Sequence, residues 1–290
     1  MKTTGIFNYI KFEIPFGKYG EPIYLVPFGD VHRSAPLCHV EKWHDWLKEV
    51  KNQKNTWFIG MGDYDDLSST SERMLLNNRT FHDSTKQTLD DMYRKHTQTL
   101  CDELSFMKGR LIGLLEGNHY SELTSGITTT QLMCEKLGCE YLGVSAFVML
   151  LLKKDVHHTH RLDIWAHHGQ SSGRTSGSSI NKVEQMIDAA DADIYLQGHD
   201  HKKHIAMRSR LGLSDSKRGI TLDNKKIILA RTGSFLKGYE KNKASYVADA
   251  GYSPSDLGTI SIRITPQREM IKNRRKARDD KRWLDLQASL

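Results

Sequence analysis

Nine polar residues, spread over more than half of the chain, have side chains of the types that bind divalent cations or transfer protons. They fall in five short segments, and every segment also contains a glycine. Residues of these types could hold two cations that together clamp the attacking and leaving oxygens of a phosphate ester. The nine are Asp30, His32, Asp63, Asp66, Asn118, His119, His167, His199 and His201.

An apolar run precedes most of these polar segments. The runs contain the aliphatic, β-branched and aromatic residues that are typical of buried strands. Each polar segment is therefore predicted to be a loop at the end of a strand. The predicted strands cover residues 23–28, 57–61, 111–115, 162–165 and 194–196.

Helical patterns lie between the predicted strands. In the segment 39–51, apolar residues recur at three- and four-residue steps, which places them on one helical face. Further helices are predicted from Asp83 to about Lys108 and between Ser178 and Ala190. This alternation predicts an α/β fold, in which ligands gather at the carboxyl ends of the strands.

The five segments are individually weak signals. An Asp-x-His pair is more often solvated or capping than metal-bound, whereas the two imidazoles of Gly-His-x-His can converge on one metal or on two neighbouring metals. The ordered set is stronger, because structural polar residues alone would rarely produce five such segments, most of them directly after an apolar run.

In these segments the chain resembles the calcineurin-like metallophosphoesterases. Their pattern is Asp-x-His, Gly-Asp-x-x-Asp, Gly-Asn-His followed by Asp or Glu, a His near Gly, and Gly-His-x-His. The similarity spans residues 29–201. It implies a central β-sandwich of two mixed sheets flanked by helices, in α/β/β/α layers, and hydrolysis of phosphate esters at a binuclear metal centre.

The resemblance also implies a role for each ligand. Two divalent cations are expected, with Mn²⁺ favoured and Fe or Zn²⁺ as alternatives. The first of two adjacent histidines is favoured at the fourth segment, which selects His167 over His168. The expected ligands are Asp30, His32 and His201 for the first metal, Asn118, His167 and His199 for the second, and Asp63 as the bridge.

The resemblance leaves His119 without a metal, and we expect it to act as the general acid. A hydroxide held by both metals is the expected nucleophile, and an imidazole can protonate the expelled alkoxide. Asp66 is expected to hold the His119 ring through one nitrogen, with Asp65 as the less favoured partner.

The chain departs from the family pattern at two positions. Tyr120 stands where many members have an acidic residue after Gly-Asn-His. Leu67 follows Asp66, so the phosphate-gripping Arg of the protein phosphatases is missing and phosphoprotein substrates are disfavoured. The turn 232–235 is similar to one in phosphoesterases carried by bacteriophages.

Two arginines are candidates for binding substrate phosphate through a forked guanidinium. Arg33 follows His32, although it could equally pair with a surface carboxylate. Arg174 lies in the Gly- and Ser-rich segment 169–177, which is either a phosphate cradle or a flexible loop. The segment 67–109 is interpreted as an insertion that combines a lid with a helix.

The chain is predicted to form one catalytic domain over residues 1–266, followed by a basic helical tail over 267–290. Between residues 267 and 282 there are eight Lys or Arg and three Asp or Glu, which supply five of the seven net positive charges. Such a run is usually a solvated helix face, but it could also contact a nucleic-acid backbone.

Cysteine content and hydropathy predict a cytoplasmic protein that makes no membrane contact. The four cysteines are too few and too unevenly spaced for a disulfide scaffold or a zinc ribbon. The amino terminus lacks the apolar stretch of a signal peptide, and the longest apolar run, 144–152, is too short to span a bilayer.

A metal-dependent phosphodiesterase or nuclease acting on nucleic acid or nucleotides is the leading functional prediction. A phosphomonoesterase or a nucleotide pyrophosphatase with the same metals is the alternative. A non-catalytic binding scaffold is disfavoured, because it would be expected to lose ligands or His119. The sequence indicates neither the substrate nor the oligomeric state.

Overall fold

Apolar residues that alternate along the strands place the main core between two β-sheets in this computed structural model. In β2 (Ile23–Phe28), Ile23 and Leu25 face the other sheet, whereas Val26 and Phe28 face a layer of helices. The structure describes residues 7–67, 73, 76, 81–170, 173, 175–216, 219–243, 245–249, 251, 253–272 and 278–290.

The described residues form twelve strands, six α-helices and one 3₁₀ turn. The strands are β1 (Asn8–Pro15), β2, β3 (Thr56–Gly60), β4 (Leu111–Leu115), β5 (Glu140–Gly143), β6 (Ser145–Asp155), β7 (His158–His167), β8 (Ile194–Gln197), β9 (Lys203–Ser216), β10 (Gly219–Thr232), β11 (Ser261–Lys272) and β12 (Arg278–Ser289). The helices are α1 (Val40–Asn52), α2 (Asp83–Leu104), α3 (Thr129–Leu137), α4 (Ser176–Glu184), α5 (Met186–Ala189) and α6 (Tyr246–Asp249), and the 3₁₀ turn is Ser105–Met107.

Both sheets are mixed and have six strands among the described residues. Sheet 1 has the order β1-β6-β7-β8-β10-β9, and sheet 2 has the order β12-β11-β2-β3-β4-β5. In sheet 2 the neighbours β2, β3 and β4 are parallel, and in sheet 1 the neighbours β7, β8 and β10 are parallel. Parallel neighbours deliver the loops after their carboxyl ends to the same edge of a sheet.

Helices cover the outer face of each sheet. Trp43 and Leu47 of α1 pack with residues of α2 and α3 on sheet 2, and Val183 and Met186 of α4 and α5 pack on sheet 1. The chain therefore has α/β/β/α layers with two mixed sheets, as predicted. Val50 of α1 also belongs to this core, so the predicted apolar face of α1 is buried at Trp43, Leu47 and Val50.

The predicted helical tail is wrong. Residues 261–272 and 278–289 are strands, and the predicted domain boundary at Pro266 lies inside β11. Apolar and polar residues alternate in both strands, so Ile262, Ile264 and Leu286 face the inter-sheet core. Period-two alternation is a strand pattern, and it outweighs the high charge of the segment.

Part of the predicted lid falls outside the described residues, which omit 68–72, 74–75 and 77–80. The helical part of that segment is α2, which packs on α3. No helix within the described ranges is both long and apolar enough to cross a membrane.

Candidate metal centre

The polar segments converge at the edge where the carboxyl ends of the parallel strands meet. Sheet 2 supplies the loops that follow β2, β3 and β4, and sheet 1 supplies the loops that follow β7 and β8. Within the described residues, three groups of His, Asp or Glu could hold a metal ion, and two of them bring residues of the two sheets together.

We call Asp30, His32 and His201 the first group. His32 Nε2 lies 3.2 Å from His201 Nε2, and His201 Nε2 lies 3.6 Å from Asp30 Oδ1. Asp30 is fully buried, and its other oxygen accepts a hydrogen bond of 2.9 Å from the main-chain N–H of His199. The three predicted ligands of the first metal are thus assembled.

We call Asp63, His168 and His199 the second group. His168 Nε2 lies 3.2 Å from His199 Nδ1 and 3.0 Å from Asn118 Oδ1. Three of the predicted ligands of the second site, Asp63, Asn118 and His199, are therefore in place. The further imidazole that lies beside these three residues is that of His168.

Asp63 lies between the two groups. Its Oδ2 atom is 3.8 Å from His32 Nε2 of the first group and 3.3 Å from His168 Nε2 of the second. Its Oδ1 atom accepts a hydrogen bond of 2.8 Å from the main-chain N–H of His119. One buried carboxylate therefore faces both groups, which is the position that a bridging ligand needs.

The structure places His168, rather than the expected ligand His167, beside Asp63 and His199. In β7, Ile164 and Ala166 face the inter-sheet core and Trp165 faces the helices, so His168 continues the inner row and His167 the outer row. His168 Nδ1 pairs with the carbonyl of Met61 at 2.7 Å, which fixes the ring with Nε2 in the site.

Asp66 joins His119 to the first group. Its Oδ1 atom pairs with His119 Nδ1 at 2.8 Å, and its Oδ2 atom lies 3.4 Å from His32 Nδ1. Burial alone would raise the pKa of Asp66, but the hydrogen bond from His119 and the nearby His32 ring hold that pKa well below its usual value. The expected contact between Asp66 and His119 is present, whereas Asp65 accepts from main-chain N–H groups instead.

The backbone is strained at five of these residues. Asp30, His32, Asp63, His199 and His201 all have positive φ, between 47° and 70°. Non-glycine residues rarely adopt this region, and such outliers cluster at functional sites. In two of these loops, alternate residues belong to the metal-binding groups, namely Asp30 with His32 and His199 with His201.

Two motif glycines permit the close approach of these loops. A Cβ atom at Gly117 would lie 1.9 Å from Asp63 Oδ1, and one at Gly62 would lie 2.5 Å from His168 Nδ1. Gly62 also has a φ of 98°, which side-chain-bearing residues rarely adopt. Glycine is therefore required beside the ligands for steric reasons.

The two buried carboxyls have pKa values that move in opposite directions. Burial raises the pKa of Asp30 to about 7. Burial also acts on Asp63, but the hydrogen bond and charge of His168 outweigh it, and the pKa of Asp63 stays well below its usual value. His168 gains from the same pairing, since Asp63 raises the pKa of its ring to about 9 against the effect of burial.

The donor set fits divalent cations. Two imidazole nitrogens bound to one cation at about 2.0–2.1 Å stand roughly 2.9–3.4 Å apart. The imidazole pairs of both groups have that spacing, at 3.2 Å. Asp30 Oδ1 is buried without a hydrogen-bond partner among the described residues, and burial together with the charge of His32 lowers the pKa of His201 to about 3. A neutral imidazole and an orphaned carboxylate oxygen are good metal ligands.

The two arginine candidates have different outcomes. Arg33 makes a forked ion pair with Glu103, at 2.9 Å from Nη2 and 3.1 Å from Nε, and Glu103 also accepts from the Trp43 indole. This is the carboxylate pairing that was the alternative to phosphate binding. Arg174 lies outside the described residues.

One supporting residue was missed by the sequence analysis. Arg231 is fully buried, donates to the carbonyl of Gly198 at 2.8 Å and lies 3.5 Å from Asp200, beneath the Gly-His-x-His loop. The sequence did hold one signal: Arg231 directly follows the apolar run 227–230, which indicates that it is buried. A buried arginine needs a hydrogen-bond or charged partner.

No family model and no curated protein matches the chain. Among solved structures, the chain is similar to "Crystal structure of Chaetomium thermophilum Vps29", at 10% sequence identity and a TM-score of 0.34. That match covers 91% of this chain and 97% of the other.

Proposed function

We propose that the chain is a calcineurin-like metallophosphoesterase that hydrolyses a phosphodiester. The observation that carries the proposal is the position of Asp63, whose Oδ2 atom lies within 4 Å of one imidazole from each metal-binding group. Two cations at about 3.5–4 Å spacing, joined by one carboxylate, form the clamp that in-line phosphoryl transfer uses.

The residues have distinct tasks in this proposal. Two bound cations would lower the pKa of water and neutralise charge on the phosphate oxygens. The chain supplies the first group for one cation, the second group with Asn118 for the other, and Asp63 for both. Water adds across the ester, so a new P–O bond forms and the bond to the leaving oxygen breaks.

His119 is proposed as the proton donor to that leaving oxygen. Its Nδ1 atom is engaged by Asp66 at 2.8 Å, so its Nε2 atom is the one left to meet a substrate. The negative charge of Asp66 keeps the ring oriented through the transfer.

The proposed substrate is a nucleic acid or a nucleotide diester. The absence of an arginine after Asp66 supports it, since a phosphoprotein phosphatase would need that residue for phosphate binding. The excess of basic residues between 267 and 282 is also compatible with a polyanionic substrate.

The test compares two chromogenic substrates with and without metal. Protein stripped with a chelator is titrated with Mn²⁺, and hydrolysis of bis(p-nitrophenyl) phosphate and p-nitrophenyl phosphate is followed. We expect two Mn²⁺ per chain, no turnover in the stripped protein, and faster cleavage of the diester. Preference for the monoester would assign a phosphomonoesterase or pyrophosphatase instead, and metal binding without any turnover would favour a binding scaffold.

A further inference from the structure

Arg73 contacts the main chain on both sides of His119. Its Nη1 atom donates to the carbonyl of Tyr120 at 2.5 Å, and both Nη1 and Nη2 donate to the carbonyl of Asn118 at 3.2 Å. These carbonyls flank the residue that is proposed to transfer the proton.

Tyr120 forms a platform for the same guanidinium. The central carbon of the Arg73 guanidinium lies 3.8 Å from the centre of the Tyr120 ring, which is a close cation–π contact. Tyr120 is the position at which the sequence departs from the acidic residue of the family pattern. In this chain an aromatic ring occupies that position, and it contacts the positively charged guanidinium of Arg73.

The main chain at His119 is thereby held from two directions. Asp63 Oδ1 accepts from the His119 N–H at 2.8 Å, and Arg73 donates to the carbonyls before and after that residue. The side chains of this segment face the site: Asn118 Oδ1 meets His168, and His119 Nδ1 meets Asp66.

We propose that Arg73, supported by Tyr120, is a positioning residue that fixes the segment 118–120 and so aims His119 and Asn118. This inference rests on the proposed phosphoesterase function. An arginine suits the task because its planar fork donates to two carbonyls while its face stacks on a ring, and a lysine offers neither the fork nor the flat face.

The test uses Arg73→Met and Arg73→Lys, with Arg110→Met as the matched control. Arg110 is likewise half-buried, lies over the Phe58 ring at 5.7 Å and donates to the carbonyl of Phe106 at 3.1 Å. It precedes β4, at the end of that strand away from the site. Both methionine variants therefore lose a guanidinium from an aromatic ring and a carbonyl, but in only one does that carbonyl belong to the site.

We expect Arg73→Met to lower kcat about 10- to 100-fold, the scale that a displaced catalytic group produces. The KM should change less than about 3-fold, because the segment aims the proton donor, and Arg73→Lys should recover only part of the loss. Arg110→Met should keep kcat within about 2-fold. Wild-type kcat in Arg73→Met, or an equal loss in Arg110→Met, overturns the proposal.

A second readout does not depend on activity. Nitrogen-15 NMR of the histidine rings, with the His119 signals assigned from a His119→Gln variant, reports whether Nδ1 is held by Asp66. We expect Arg73→Met to move the His119 signals toward those of a free imidazole, while Arg110→Met leaves them in place. If wild-type protein hydrolyses no ester, the function proposal fails, but unchanged His119 signals in Arg73→Met are what would refute the positioning role.

Discussion

The two metal-binding groups have the same composition, one aspartate and two histidines, but they differ in how their charges are balanced. In the second group, Asp63 and His168 lie 3.3 Å apart and stabilise each other's charged forms. In the first group, one oxygen of Asp30 accepts no hydrogen bond within the part of the chain that the structure describes, and burial raises the pKa of this carboxyl to about 7. The first group therefore depends more on a cation for its charge balance than the second does.

Exchanging the residue that the groups share should have the largest effect. Asp63→Asn removes the charge that faces both groups, so we expect metal stoichiometry to fall below two and turnover to fall about 1000-fold or more. Elemental analysis of the dialysed protein, together with rates at saturating Mn²⁺, measures both. Two tightly bound ions in Asp63→Asn would contradict the bridging role.

Replacing the proton donor should leave both groups intact. We expect His119→Gln to lower turnover about 100-fold or more, on the usual scale for loss of a general acid, with two metal ions still bound. The measurement is the rate on the diester beside the metal content of the same sample. A variant with full turnover would remove His119 from the mechanism.

Substituting the adjacent residues His167 and His168 one at a time tests the second group without changing the first. His168→Ala should weaken one of the two metal-binding events about 100-fold and leave the other near the wild-type affinity, as seen by calorimetric titration with Mn²⁺. His167→Ala is the matched control, because its side chain belongs to the outer face of β7, and it should change neither event more than about 3-fold. The reverse pattern would restore His167 as the ligand.

Asp30→Asn should stabilise the metal-free protein, although it removes a proposed ligand of the first group. The pKa of Asp30 in the folded protein, about 7, lies above its ordinary value of 3.8. The folded state therefore retains a proton that the unfolded chain has released, and stability falls as pH rises through that window. With a chelator present, Asp30→Asn should raise the unfolding free energy by about 2 kcal/mol at pH 8 and by less at pH 5. Urea unfolding at both pH values checks this, and an equal gain at the two would disprove the cause.

The alternation of strands and helices could be predicted from the sequence because burial leaves a periodic trace, whereas the α/β/β/α layers were implied by the family resemblance. The α1 face of Trp43, Leu47 and Val50 and the runs that became β2, β3, β4 and β8 were visible as three-to-four-residue or continuous apolar patterns. The prediction of a helical tail was wrong, since eight basic residues suggest a solvated helix face, whereas the alternation through Leu284, Leu286 and Ala288 is that of a strand. Composition describes solvation, and periodicity describes the geometry of the backbone.

Most of the candidate site could also be predicted from local motifs, because each loop carries its own ligands. The choice between His167 and His168 could not come from the motif, yet the alternation from Leu162 through Ile164 and Ala166 points to His168. The contacts of Arg73 and Arg231 could not be predicted from local motifs, although the place of Arg231 after the apolar run 227–230 indicated that it is buried. Each donates a hydrogen bond to a loop that lies more than thirty residues away along the chain.

The positive φ values at Asp30, His32, Asp63, His199 and His201 bear on protein engineering. Each such residue costs about 1 kcal/mol or more, so the five together are comparable with the net stability of many domains. A designer who copies only these side chains onto another scaffold would obtain the donors but not their convergence. Transplanting the centre requires the left-handed backbone conformation at these five positions and a host protein that is stable enough to tolerate its cost.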